Sequence, residues 1–209
     1  MNSPRWFLTL FIFLLIPGSQ LHAAATKKTI LAFGDSLTAG YGLPATDSFP
    51  ARLEEALNSA GYQVKVINAG ISGDTSAGGV ARISWSLAEK PDLAIVELGA
   101  NDALRGLNPQ DTRKNLAFIL TQLNKAGVKT ILAGMKAPRN LGENYYTSFD
   151  RIYPELATQY QVELYPFFLQ GVVGITALNQ VDGIHPNAAG VKVIVKQILP
   201  LVEKVLQRS

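Results

Sequence analysis

The 209-residue chain is 47% hydrophobic and 17% charged, with 19 Lys and Arg against 16 Asp and Glu, a formal net charge of +3. That length and balance suit one domain with an ample core, and they exclude disordered, collagen-like and low-complexity classes. With no cysteine and two histidines, disulfides, thiolate metal sites, iron–sulfur clusters, thiol nucleophiles and a lipidated cysteine are excluded, and the small, unclustered positive excess gives no footprint for nucleic acid.

The chain starts with a polar segment, Met1 to Arg5, that carries one positive charge. Trp6 to Ile16 is apolar except for Thr9, Pro17 and Gly18 break the run, and Ala23, Ala24 and Ala25 follow. That order of regions reads as a secretory signal peptide over residues 1–25. The apolar run is too short for a spanning helix, which needs about 20 apolar residues. A chain processed there comprises residues 26–209, is periplasmic or secreted without a stable membrane anchor, and keeps a single histidine, His185.

Thr29 to Phe33 reads as a short buried strand stopped by Gly34. Leu53, Ala56, Leu57 and Ala60 recur at helical spacing before Gly61. Val64 to Ile67 and Leu93 to Leu98 read as strands. Asn108 and Pro109 read as the cap and first residue of a helix that buries Leu116, Ile119, Leu120 and Leu123 and ends at Gly127. Thr130 to Met135 is the next strand, followed by a helix over Phe149 to Gln159 and a strand at Val162 to Leu164. Val191, Ile194, Val195, Ile198 and Val202 mark a closing helix with Pro200 inside it. This alternation predicts an α/β domain with a parallel sheet covered on both faces. In such sheets ligands bind beyond the carboxyl ends of the strands.

Four polar, glycine-marked segments fall at such places: Gly34-Asp35-Ser36-Leu37, the run Asn68 to Ser76, Gly99-Ala100-Asn101-Asp102, and Asp182-Gly183-Ile184-His185-Pro186. Serine-based acyl transfer needs a hydroxyl on a sharp turn, a histidine to take its proton, a group to orient that histidine, and donors aimed at the developing oxyanion. Ser36, His185 and Asp182 are of the types required for the first three roles. The Gly73 amide and the Asn101 side chain are candidate donors, each worth about 2.7–4 kcal/mol of transition-state stabilisation. Each residue also has a structural reading. Ser36 suits a helix cap, Asp35 an Asx turn, Gly73 a turn, and Asn101 a loop cap; His185 suits the cap of the last helix. Asp74 and Asp102 read as acceptors that fix loops rather than as bases. The G-x-S-x-G elbow is absent, and the first strand is followed by GDSLTAG rather than a dinucleotide-binding G-x-G-x-x-G.

Taken together, Gly34-Asp35-Ser36-Leu37, ISGDTS at Ile71 to Ser76, VELGANDALRG at Val96 to Gly106 and DGIHPN at Asp182 to Asn187 resemble the blocks of the SGNH (GDSL) hydrolase family, nearest to its periplasmic thioesterase, lysophospholipase and arylesterase group. The resemblance runs from Ile30 to about Leu206 and so makes residues 26–209 one hydrolase domain. It implies a three-layer α/β/α, flavodoxin-like fold with a five-stranded parallel sheet. It also implies a triad of Ser36, His185 and Asp182, and an oxyanion hole formed by the Ser36 and Gly73 amides and the Asn101 side chain. No metal or cofactor is implied. The expected substrate is a small acyl ester, lysophospholipid or thioester; a carbohydrate O-acetylesterase and a non-catalytic binding protein are the alternatives. Ala100 and Ala103 stand where relatives often carry glycine, which bears on substrate access rather than on chemistry. Ala137 to Tyr146, with Phe167 and Phe168, reads either as an acyl groove or as core.

Overall fold

The structure is a computed structural model, and it describes residues 27–207. In chain order the elements are β1 (Lys28–Gly34), α1 (Ser36–Ala39), α2 (Phe49–Ser59), β2 (Val64–Gly70), α3 (Ser76–Ser86), β3 (Leu93–Glu97), α4 (Ala100–Leu104), α5 (Pro109–Lys125), β4 (Lys129–Ala133), α6 (Glu143–Asp150), α7 (Ile152–Tyr160), β5 (Glu163–Tyr165) and α8 (Ala188–Gln207). The expected signal peptide, residues 1–25, lies outside the described residues. Among the described residues no helix is long and apolar enough to cross a membrane.

The five strands form one parallel sheet in the order β2-β1-β3-β4-β5. β3 is buried along its whole length and β1 from Ile30 onward. That is why both read as continuous apolar runs rather than as alternating ones. On one face α2 packs against α8; on the other α5 packs against α3 and α7. The expected α/β/α sandwich is therefore the observed one. The chain leaves β1 toward β2 on one side and reaches β3 on the other, so a crevice opens between the carboxyl ends of β1 and β3.

Local signals behave as their chemistry dictates. The Asn108 side chain accepts from the Gln110 amide and Pro109 opens α5. Gly61 and Gly127 follow α2 and α5 with φ of +92° and +71°. α8 continues through Pro200 to Gln207. β2 extends three residues beyond the expected Ile67, because Asn68, Ala69 and Gly70 pair with Ala32, Phe33 and Gly34.

Two helical expectations are corrected. The single helix over Phe149 to Gln159 is the end of α6 followed by α7, which meet at Arg151. Pro154 lacks an N–H and its ring crowds the carbonyl four residues earlier, at Asp150, so one continuous helix is disfavoured there. α3 has no counterpart among the expected helices. Gly78 and Gly79 weaken its intrinsic helical signal, yet close packing requires both. A Cβ on Gly79 would lie 2.5 Å from Leu98 Cδ1 and 3.0 Å from Ile119 Cδ1, and one on Gly78 would overlap the Asp74 carboxylate.

Candidate active site

Ser36 is the first residue of α1, directly beyond β1. The cap of that helix is Asp35, whose Oδ1 accepts from the Leu37 amide at 3.0 Å. The Ser36 hydroxyl is thereby free of the capping role and lies 2.9 Å from His185 Nε2.

His185 stands on the long connection between β5 and α8. That connection is pinned by an antiparallel bridge between Asn179 and Pro186 and by the Gln180 amide, which donates to the His185 carbonyl at 2.8 Å. Asn187, not His185, caps α8: its Oδ1 accepts from the Ala189 and Gly190 amides at 2.9 and 3.0 Å. Asp182 Oδ2 lies 2.7 Å from His185 Nδ1, and its Oδ1 accepts from the Ile184 and His185 amides at 2.9 and 3.0 Å. The three-residue spacing therefore closes a small ring in which one carboxylate fixes both the backbone and the imidazole. The amide and imidazole of His185, with the Ile184 amide, hold the Asp182 carboxyl down at about 2. The Tyr41 ring covers the imidazole, with centroids 4.6 Å apart.

Asn101 lies in α4, just past β3. Its Nδ2 donates to the Asp74 carbonyl at 2.9 Å and to Asp35 Oδ2 at 3.1 Å, so one amide ties together the loops that follow β1, β2 and β3. Gly73 adopts φ +80° and its carbonyl accepts from Arg105 Nη2 at 2.8 Å. It sits on the exposed rim beside this junction, next to Asp74. Asp74 Oδ2 accepts from Arg82 Nε at 2.7 Å, and Arg82 also donates to the Ala69 and Gly34 carbonyls at 2.7 and 2.8 Å. Asp102 is buried and accepts from the Ser76 amide and hydroxyl and the Thr112 hydroxyl. Both aspartates hold loops, as the sequence suggested.

Beneath Ser36 lies a feature that the sequence reading missed. Glu97, the last residue of β3, is fully buried, and its Oε2 accepts from the Thr38 hydroxyl at 2.8 Å and the Asp35 amide at 3.4 Å. A glutamate closing an otherwise apolar buried strand was the available signal. Burial lifts the Glu97 carboxyl well above the usual range, and the neighbouring Asp35 charge adds to this. Burial also pushes Asp35 up to about 6, opposed by hydrogen bonds from the Leu37 amide, Glu97 and Asn101.

A cleft of about 260 Å³ opens beside Ser36 and His185. Its apolar wall is formed chiefly by Leu104, Met135, Pro138, Leu169, Val173 and Ile184, with the methyl groups of Ala100 and Ala103. Of the two readings of Ala137 to Tyr146 with Phe167 and Phe168, groove or core, the core one is observed: Tyr145, Tyr146 and Phe167 pack against the core. Phe168 is fully buried edge-on against Phe49, Tyr146 lies under Arg139, and the Tyr145 hydroxyl donates to the Leu107 carbonyl. Only Pro138 of that set reaches the cleft. Among the described residues no three His, Cys, Asp or Glu side chains are grouped to hold a metal ion.

This arrangement places a hydroxyl, an imidazole and a carboxylate in one hydrogen-bonded line at the mouth of an apolar cleft. Residues 32–193 match the model of the GDSL-like lipase/acylhydrolase family. The chain is 42% identical to esterase TesA of Pseudomonas aeruginosa over 183 residues, 87% of this chain and 91% of that protein. It is 40% identical over 206 residues to thioesterase 1/protease 1/lysophospholipase L1 of Escherichia coli K12, covering 96% of each. The solved structure of AlinE4, an SGNH-hydrolase family esterase, superposes with a TM-score of 0.73 at 50% identity, covering 86% of this chain and 97% of that one. With that likeness running through all four loop segments of the crevice, the chain belongs to the GDSL-like lipase/acylhydrolase family of SGNH hydrolases and is an enzyme that acts on ester bonds.

Proposed function

We propose that this protein is an exported serine esterase that hydrolyses acyl esters or thioesters of the lysophospholipid, aryl ester and acyl thioester type. The observation that carries the reading is the placement of His185 between Ser36 Oγ, at 2.9 Å, and Asp182 Oδ2, at 2.7 Å.

The chemistry follows from that line. Neutral His185 accepts the Ser36 proton at Nε2 while Ser36 Oγ attacks the substrate carbonyl carbon. Asp182, ionised across the working range, takes the Nδ1 proton in a hydrogen bond and stabilises the imidazolium as it forms. The carbonyl oxygen becomes an oxyanion. Its donors are the Ser36 amide, which as the first amide of a helix has no intrahelical acceptor, the Gly73 amide on the flanking loop, and Asn101 Nδ2, which turns one N–H from the Asp74 carbonyl to the oxyanion while the other stays on Asp35. The imidazolium then protonates the departing alkoxide or thiolate, leaving an acyl group on Ser36. Water attacks this acyl-enzyme with His185 again as base, and release of the acid restores the site.

The cleft supports a substrate with an apolar acyl chain. Leu104, Val173 and Ile184 line it and are also exposed, so apolar surface continues from the cleft to its mouth. Such a wall favours longer acyl groups over acetyl, since each buried methylene contributes about 0.8 kcal/mol. The polar start, short apolar run and alanines of residues 1–25 support export. In that compartment oxygen esters are the natural substrate class.

The test is hydrolysis of p-nitrophenyl esters from acetyl to palmitoyl by the processed protein beside its Ser36→Ala variant. Serine-dependent turnover that peaks at medium or long chains supports this reading. A peak confined to acetyl supports a carbohydrate deacetylase instead. No turnover at any length by folded protein overturns the assignment as an esterase.

A further inference from the structure

The Asp35 and Glu97 carboxyls lie together under the nucleophile turn, both with no solvent exposure. Space for them is built into the backbone. Gly34 stands opposite Glu97 in the sheet register, and a Cβ there would lie 2.0 Å from Thr38 Oγ1 and 2.6 Å from Glu97 Oε2. The glycine before Asp35 and Ser36 is therefore required by the glutamate on the next strand.

The two oxygens of Glu97 differ. Oε2 receives the Thr38 hydroxyl and the Asp35 amide, whereas Oε1 is buried with no protein donor. An ionised Oε1 would be an uncompensated buried charge beside a second carboxylate, which is strongly unfavourable. Carrying a proton, the Glu97 carboxyl becomes a donor, and the Asp35 carboxylate, with which its side chain interacts directly, is the acceptor at hand. Asp35 in turn accepts from the Leu37 amide through Oδ1 and from Asn101 through Oδ2.

We propose that Glu97 is a positioning residue for ester hydrolysis: it carries a proton and donates it in a hydrogen bond to Asp35, which holds the Ser36 turn and the Asn101 amide in register. This rests on the reading of Ser36 as nucleophile and Asn101 as oxyanion donor. Burial and the mutual repulsion of the two carboxyls favour one shared proton, with Glu97 as its home. The other charged and titratable groups around the pair are His185 across the Ser36 turn, Arg82 on the Gly34 carbonyl, and Asp102 and Tyr153 behind β3. Arg82 is already committed to Asp74 and two carbonyls.

The experiment compares wild type with Glu97→Gln, which keeps a donor and an acceptor, and Glu97→Leu, which keeps only bulk. Infrared spectra near neutral pH are expected to show a protonated-carboxyl band in wild type that is missing in Glu97→Gln. Active sites are counted by phosphonate titration, so misfolded protein does not enter the rates. Per titrated site, kcat of Glu97→Gln is expected close to wild type. For Glu97→Leu it is expected to fall about 100-fold with KM little changed, the size of effect that a slightly misplaced reacting group produces. A purely structural role would lower the titrated fraction without lowering kcat per site.

Three results would overturn the proposal: no protonated-carboxyl band in wild type, full kcat per site in Glu97→Leu, or Glu97→Gln as slow as Glu97→Leu. If Glu97→Leu does not fold, the infrared band and Glu97→Gln decide. Wild type without turnover on any ester would sink the esterase reading and remove the catalytic role; the infrared band still reports separately on the proton at Glu97.

Discussion

His185 Nε2 lies 2.9 Å from Ser36 Oγ, although 149 residues separate them in sequence. The contact exists because the loop after β1 and the segment before α8 end on the same rim of the sheet. The short ring between Asp182 and His185 then orients the imidazole locally, and the Tyr41 ring covers it. If that line is the reacting one, replacing its parts has distinct consequences.

Asp182→Asn keeps an oxygen for the Ile184 and His185 amides but removes the anion and presents a donor to His185 Nδ1. The imidazole is then driven toward the wrong tautomer. We expect kcat to fall on the order of 10⁴-fold, with a smaller loss of thermal stability near neutral pH because the ionised carboxylate no longer holds its three donors. Steady-state kinetics with a melting curve checks this; loss of activity by unfolding would be a different result.

His185 must be neutral to accept a proton, so activity is expected to rise with pH along an acid limb. Asp182 does not add to that limb near neutrality, because its carboxyl is lowered to about 2 and stays ionised. Its contribution to stability is present above the ordinary carboxylate range and is lost as pH falls through about 2. Asp35 works in the opposite sense. With its carboxyl raised to about 6, stability falls as pH rises from the ordinary carboxylate range through about 6. Denaturant titrations of wild type and Asp35→Asn across this range test the point: the decline should be shallower in the variant.

Gly99 supports Asn101 from two residues away. It holds φ at +113°, and a Cβ there would lie 2.3 Å from the Tyr153 hydroxyl, which donates to the Leu98 carbonyl at 2.9 Å. Gly99→Ala therefore combines backbone strain with overpacking, each worth about 1–3 kcal/mol. We expect lower stability together with lower kcat, measured by urea unfolding and by turnover per titrated site.

Chain-length preference tests the cleft. Leu104→Trp adds bulk to its exposed wall. For every methylene excluded, kcat/KM for longer esters should fall about fourfold relative to acetyl, matching about 0.8 kcal/mol. An unchanged ratio across the p-nitrophenyl series would place the acyl chain elsewhere.

Much of this architecture is legible in the sequence because central parallel strands must be apolar on both faces. Runs such as Ile30 to Phe33 and Leu93 to Val96 therefore stand out, and the polar residues that follow them mark the rim. Asp182 and His185 are legible for a different reason: three residues with a glycine between them form a local ring. What stayed hidden depends on contacts between distant segments. α3 owes its existence to the fit of Gly78 and Gly79 against Asp74, Leu98 and Ile119, which outweighs the poor helical propensity of glycine. The division between α6 and α7 turns on Pro154, a local signal that the apolar periodicity masked. Phe168 and Tyr146 are aromatic in either setting, and only packing shows that neither lines the cleft. Glu97 looks like an ordinary strand end until Gly34 and Asp35 are seen beside it.

Ester hydrolysis at this site requires Ser36 to attack the acyl carbon. The most direct measurement is mass spectrometry of the protein after reaction with a p-nitrophenyl phosphonate. One adduct per chain is expected, on the peptide containing Ser36, with none in Ser36→Ala and much slower labelling in His185→Ala. Stoichiometric labelling of another residue, or wild-type ester turnover by Ser36→Ala, would contradict attack by Ser36.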